Sequence, residues 1–201
     1  MTLEKPKKTH EERMARKKAV MDERIANAKE ERGVLILLKG NGKGKSSSAL
    51  GTMARCVGHG KPAAVVQFIK GRRETGEFKF FSSHPLIEWH VMGEGFTWET
   101  QSRERDEAAA AHAWEITARL LQDPNRDIVV LDEMAYMFKY RYLPLEPVIA
   151  ALKARPRHQH VIITGRVMPE ALEEIADTIS DIKDQRHAFR LGVTSQAGIE
   201  Y

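Results

Sequence analysis

The chain has 201 residues, 42% of them apolar and 30% charged, with a formal net charge of +4. That size and balance describe a soluble globular protein with a core large enough to fold unaided. Its longest aliphatic runs, Val34–Leu38 and Ile128–Leu131, are far short of the ~18 residues that a membrane span needs. Cys56 is the only cysteine, which excludes an internal disulfide and a cysteine zinc cluster and points to a reducing cytoplasm.

The first 32 residues hold ten Lys/Arg and seven Asp/Glu, and the other 169 hold 22 and 21. Most of the basicity therefore belongs to an N-terminal extension, and the remainder is too near neutral for a broad nucleic-acid surface. The charged start does not read as a secretory signal. Residues 1–12 are polar and expected to be disordered. Residues 13–32 lack Gly and Pro and are rich in Ala, Glu, Lys and Arg, so they favour helix. Met14, Met21, Ile25 and Ala28 form a narrow apolar stripe. Two readings stay open: a solvated helix on the domain, or an arm that closes over a site or a neighbouring subunit.

Residues 33–201 form the domain proper. The short apolar runs Val34–Leu38, Ala63–Ile69, Ile128–Leu131 and Val161–Ile163 read as strands, with helical stretches between them, and Ile87–Met92 reads as a further strand. Buried strands alternating with helices predict an α/β fold, a mostly parallel sheet with helices on both faces. Gln101–Gln122 is the most convincing helix, with Trp114, Ala118 and Leu121 on one face and Pro124 after its end. Pro144–Arg155 and Pro169–Ala176 each open on a proline, which suits a first helical turn. Ligands of such sheets bind beyond the carboxyl ends of the strands, so chemistry is expected just after each one.

After the first strand comes Gly40-Asn41-Gly42-Lys43-Gly44-Lys45-Ser46-Ser47. Its glycines let successive N–H groups turn around an anion, and the following helix aims its positive end at the same point. Lys45 supplies a point charge for phosphate, and the Ser46 hydroxyl can ligate Mg²⁺. The loop is a variant. Lys39 stands where the usual G-x-x-x-x-G-K-[ST] pattern has its first glycine, and Gly40 leaves only three residues before Gly44. The strand Asp127–Leu131 ends in Asp132 and Glu133. Acids there hold Mg²⁺ directly or through water, or the second activates water; spacing does not separate those roles. The two motifs together predict a P-loop NTPase fold of RecA-like type.

Other residues carry weaker signals. Phe96 and Trp98 flank Thr97 in a glycine-hinged loop, either as buried anchors or as a platform for a flat ligand. Lys70 and Arg166 follow strands and either meet phosphate or are plain surface charges. His158 and His160 have no third ligand near in sequence and read as surface histidines. Cys56 reads as a small packed residue.

Gly40–Ser47, Gln67–Gly71, Gly95–Thr100, Val130–Glu133, Tyr142–Glu146 and Val161–Arg166 occur in that order. Together they closely resemble the bacterial P-loop ATP:corrinoid adenosyltransferases over about residues 33–201. The shortened loop fits that family; Ser46-Ser47 departs from its usual threonines but keeps the hydroxyl. The resemblance implies that a Co(I) corrinoid, cobalamin or a precursor, attacks the 5′-carbon of ATP and releases triphosphate. It implies ATP bound in the opposite sense from P-loop hydrolases. It also implies that Ser46 and Glu133 ligate Mg²⁺ with Asp132 nearby, and that Lys45 and the loop amides from Gly40 to Ser47 hold the triphosphate. Phe96 and Trp98 would displace the lower ligand of cob(II)alamin, so that a reduced flavoprotein can supply the electron. A homodimer is implied, with the N-terminal helix helping to cover the corrinoid. No membrane or nucleic-acid partner is expected. The alternative reading is a RecA-like ATPase acting with nucleic acid, which leaves Phe96-Thr97-Trp98 unexplained. A small-molecule kinase and a noncatalytic ATP-binding module are further options.

Overall fold

A computed structural model describes residues 9–69, 74–92 and 103–201. It divides into two units, Met1–Glu31 and Arg32–Tyr201. In the first unit, helix α1 (His10–Asn27) begins with a capping box. The Thr9 hydroxyl accepts from Glu12 N–H, and the Glu12 carboxylate accepts from Thr9 N–H at 2.9 Å. That box starts the helix three residues earlier than composition alone suggests. Ala28 lies just past its end as the C-cap.

The second unit is built on six strands: β1 (Leu35–Lys39), β2 (Ala63–Gln67), β3 (Ile87–Val91), β4 (Ile128–Asp132), β5 (His160–Thr164) and β6 (Thr178–Asp181). All pair in parallel, in the order β3-β2-β4-β5-β1-β6. Among the described residues, six helices lie between the strands. They are α2 (Lys45–Gly58), α3 (Gly76–Phe81), α4 (Arg103–Gln122), α5 (Ala135–Lys139), α6 (Leu145–Ala154) and α7 (Glu170–Glu173).

The sheet is covered on both faces, and the alternation of its side chains shows it. Leu35, Leu37, Ala64, Val66, Val129, Leu131, Val161 and Ile163 face one core, shared with Ala113 and Leu120 of α4, Leu152 of α6 and Leu172 of α7. Leu38, Ala63, Val65, Ile128, Val130 and Ile162 face the other, closed by Ala49, Leu50 and Met53 of α2. Burial on both faces explains why these strands read as unbroken apolar runs. Cys56 packs half-buried against the α2 core.

Several elements differ from the sequence expectation. The buried face of α4 is Asp106, Ala110, Ala113, Thr117, Leu120 and Leu121, so Trp114 and Ala118 sit at its margin. Pro144 and Pro169 are N-caps in extended backbone, just outside α6 and α7, and α7 is a single turn. His160 is not a surface histidine. It is half-buried in β5, its Nδ1 accepts from Val34 N–H at 3.2 Å, and burial lowers its pKa; His158 is exposed. No helix among the described residues is long and apolar enough to cross a membrane.

The order of the strands positions the site. The phosphate loop follows β1 and the acidic pair ends β4, but β5 lies between those two strands. Whatever stands at the end of β5 is therefore wedged between the loop and the acids.

Candidate active site

At the carboxyl ends of the strands lies a cavity of about 940 Å³. One wall is Asn41–Ser47, and Asp132, Glu133 and Arg166 line it too. Gly40 lines an adjoining cavity of about 370 Å³, shared with Asn41 and Arg166. The structure thus brings Lys45, Ser46, Ser47, Asp132, Glu133 and Arg166 around one space. Phe96, Trp98 and Lys70 lie outside the described residues.

The loop takes its shape from two glycines. Gly44 is the N-cap of α2 at φ +110°, a conformation that L side chains rarely adopt. Gly42 passes so close to the backbone after β6 that a Cβ there would lie 2.7 Å from the carbonyl oxygens of Ile182 and Lys183. Its N–H donates to the Ile182 carbonyl at 2.7 Å. Lys45, the first residue of α2, folds back so that its Nζ donates to the Gly42 carbonyl at 2.8 Å. Only 8% of it is exposed. Burial lowers its pKa, the nearby Glu133 carboxylate opposes that shift, and Arg166 adds to it.

The acids occupy unequal environments. Asp132 Oδ1 accepts from Ser46 Oγ at 2.8 Å and from Thr164 Oγ1 at 2.7 Å, while Oδ2 accepts from Gln67 Nε2 at 3.3 Å. Thr164 also accepts from Glu133 N–H at 2.8 Å. It is fully buried at the end of β5, so it is the wedge the strand order calls for. Glu133 has φ +57°, and its Oε2 is buried with no hydrogen-bond partner. Burial first and Asp132 second push its carboxyl up to about 6, partly offset by Lys45 and Arg166.

A saturated carboxylate beside an orphaned one suits a division of roles. Asp132 orients the Ser46 hydroxyl by accepting its proton, which leaves the serine lone pairs free to face the cavity. Glu133 keeps an oxygen for a cation. Both donors are hard oxygens, the type that magnesium prefers. Among the described residues no group of three or more His, Cys, Asp or Glu side chains forms a metal site, so substrate oxygens and water would complete any coordination shell.

Other wall residues were not singled out from sequence. Gln67 bridges Trp89, whose Nε1 donates to Gln67 Oε1 at 3.1 Å, and Asp132. Phe78, Phe80 and Phe81 of α3 form an aromatic side of the cavity, Tyr136 lines it from α5, and Gly198–Tyr201 complete it. The position of Thr164 at a strand end was a usable signal, as it was for Asp132. Nothing local in residues 198–201 announces their place.

A family model described as ATP:corrinoid adenosyltransferase BtuR/CobO/CobP matches residues 31–201. A corrinoid adenosyltransferase of Pseudomonas aeruginosa is 53% identical over 193 residues, covering 96% of this chain and 95% of that protein. The corrinoid adenosyltransferase CobA of Salmonella typhimurium is 52% identical over 192 residues, covering 96% of this chain and 97% of that protein. A corrinoid adenosyltransferase of a Sinorhizobium species is 40% identical over 201 residues, covering 98% of this chain and 94% of that protein.

Proposed function

The chain belongs to the ATP:corrinoid adenosyltransferase family, and from that premise we propose that it transfers the 5′-deoxyadenosyl group of ATP to the Co(I) centre of a corrinoid and releases triphosphate. The observation that carries the reading is the convergence of Lys45, Ser46, Asp132 and Glu133 on one cavity, all within the matched span.

The reaction makes one bond and breaks one. The Co(I) electron pair forms the cobalt–carbon bond at C5′, and the C5′–O electrons leave with the triphosphate. Charge develops on the bridging oxygen of that leaving group. Lys45 and the amides of Asn41–Ser47 other than that of Gly42, which is bonded to Ile182, supply fixed positive charge for it. Ser46 and Glu133 would hold Mg²⁺, which when bound adds charge neutralisation at the phosphates. The orphaned Glu133 Oε2 and the Ser46 hydroxyl tied to Asp132 support that assignment. Arg166 stands on the same wall for a further phosphate contact. A reduced flavoprotein as electron donor, a homodimer and a cytoplasmic location belong to the same proposal. Residues 1–8, 70–73 and 93–102 lie outside the described residues, and the roles proposed on the corrinoid side are those that the family resemblance implies.

Incubation with ATP, Mg²⁺ and chemically reduced cobalamin should yield adenosylcobalamin and inorganic triphosphate in equal amounts. Accumulation of ADP without a corrinoid product would overturn the reading in favour of an ATPase or kinase.

Phe96 and Trp98 are proposed to displace the lower ligand of cob(II)alamin. Phe96→Ala and Trp98→Ala should then be severely impaired when a flavoprotein supplies the electron. They should recover much of their activity when Co(I) is generated chemically. Electron paramagnetic resonance of wild type with ATP and cob(II)alamin should show a four-coordinate species that the variants lack. Equal impairment under both reduction regimes would leave the pair as loop anchors only.

A further inference from the structure

Among the described residues, the lysines and arginines on the cavity wall are Lys43, Lys45 and Arg166, and they are not equally available. Lys45 is buried and donates to a loop carbonyl. The Arg166 side chain has no hydrogen-bond partner among the described residues. Lys43 alone of the three is in an ion pair there: its Nζ lies 2.6 Å from Glu200 Oε2. The pair joins residues 157 positions apart.

The segment that brings Glu200 there is built against the loop. After β6, Ile182 N–H donates to the Lys39 carbonyl at 2.8 Å, and its own carbonyl accepts from Gly42 N–H. A 3₁₀ turn, Ala188–Leu191, follows, and the chain returns to the cavity at Gly198–Tyr201. A local turn holds Glu200, whose N–H donates to the Gln196 carbonyl at 2.9 Å, while Gly198 N–H donates to the Tyr201 carbonyl at 2.8 Å. Glu200 thus sits on a structured turn, whereas Lys43 reaches it on a flexible stem with a side chain 45% exposed.

We propose that Glu200 is a positioning residue acting through Lys43: its carboxylate competes with polyphosphate oxygens for the Lys43 ammonium, weakening the hold on triphosphate so that product can leave. An ammonium has three donors and no acceptor, and a carboxylate and a phosphate are rival acceptors for it. The cavity has several other donors for a polyanion, namely the loop amides, Lys45 and Arg166. A site built only of such donors would retain triphosphate as firmly as it binds ATP. A negative charge held on the exposed Lys43 tempers that. The inference rests on the adenosyltransferase reading for the identity of the leaving polyphosphate.

The test is titration of the full chain with inorganic triphosphate, followed by calorimetry, for wild type, Glu200→Gln, Lys43→Met and the double variant. A partly exposed pair of this kind is worth a factor of about two to five. Glu200→Gln is therefore expected to bind triphosphate about two- to fivefold more tightly, with KM for ATP falling by a similar factor, and the gain should shrink in high salt. In the Lys43→Met background the Glu200→Gln effect should vanish. Glu200→Asp, which keeps the charge but shortens its reach, should lie between wild type and Glu200→Gln. Unchanged or weaker triphosphate binding by Glu200→Gln would overturn the proposal and leave the pair as a structural tie. An equal gain in the Lys43→Met background would overturn it too, since Glu200 would then act by bare charge. If the adenosyltransferase reading itself failed, wild type would form no adenosylcobalamin, a result independent of the titration.

Discussion

Lys45→Ala is expected to lower turnover roughly 10²–10³-fold at saturating ATP while the protein stays folded. The lysine opens α2 with its ammonium folded over the phosphate loop rather than placed in either apolar core. Its partners are a loop carbonyl and the field of two carboxylates, Glu133 and Asp132. Removing it subtracts a charge that does most when the C5′–O bond breaks, so kcat falls more than ATP affinity. Rates with chemically generated cob(I)alamin, together with circular dichroism, check both halves. Near-wild-type turnover would show that the loop does not hold the leaving group.

Glu133→Gln should have opposite effects on activity and on stability. Activity is expected to fall roughly 10²-fold, from ~3 kcal/mol of lost charge stabilisation at the phosphates. Stability should rise in protein stripped of divalent cation. The carboxyl is pushed from its ordinary 4.5 up to about 6, so the folded state binds its proton more tightly than the unfolded chain does. Such a group favours folding below about 4.5, where it is protonated in both states, and that contribution is lost as pH rises through about 6. Above that range wild type is the weaker protein, by ~2 kcal/mol at pH 7.5. The difference should shrink to about a fifth of that at pH 4.5. Urea unfolding in EDTA at the two pH values measures it. A Gln variant equally or less stable at pH 7.5 would mean that Glu133 has a compensating partner in the metal-free protein.

What the sequence disclosed follows from burial. Strands covered on both faces must be apolar throughout, and β1, β2, β4 and β5 were legible as such runs; β3, with Glu88 and His90 in it and only Ile87 buried, was legible as a strand without being such a run. The sixth, β6, is Thr-Ile-Ser-Asp at the sheet edge and mostly exposed, so no hydrophobic signal marks it. Helix α4 was legible by length, and Leu121 is buried and Trp114 packs against the core as one face would have them, but the centre of the buried face lies to one side of Trp114 and Ala118. Alanines make up much of its sequence and give little contrast between faces, and tertiary packing selected Ala113 and Thr117 over Trp114 and Ala118. The phosphate loop and Asp132-Glu133 were legible because each combines a strand end with short-range chemistry. The roles of Thr164 and Gln67 were not, although both stand at strand ends, since a single neutral hydroxyl or amide acquires its role only from the carboxylate that the sheet places beside it. Glu200 acquires its role from a loop 157 residues away.

The sheet order also imposes a timetable on synthesis. Strand β1 is made before any other strand, yet both of its neighbours, β5 and β6, are made last. Strands β2, β3 and β4 can pair among themselves as they emerge, while β1 waits with both edges open. The loop after it lacks its lateral support until Ile182 has been added and can bond to Lys39 and Gly42. At typical elongation rates that interval is on the order of ten seconds. Throughout it, a nascent chain carries the whole phosphate-loop sequence but cannot shape it. ATP therefore cannot help the early chain to fold, and nucleotide binding reports that the last strand is in place.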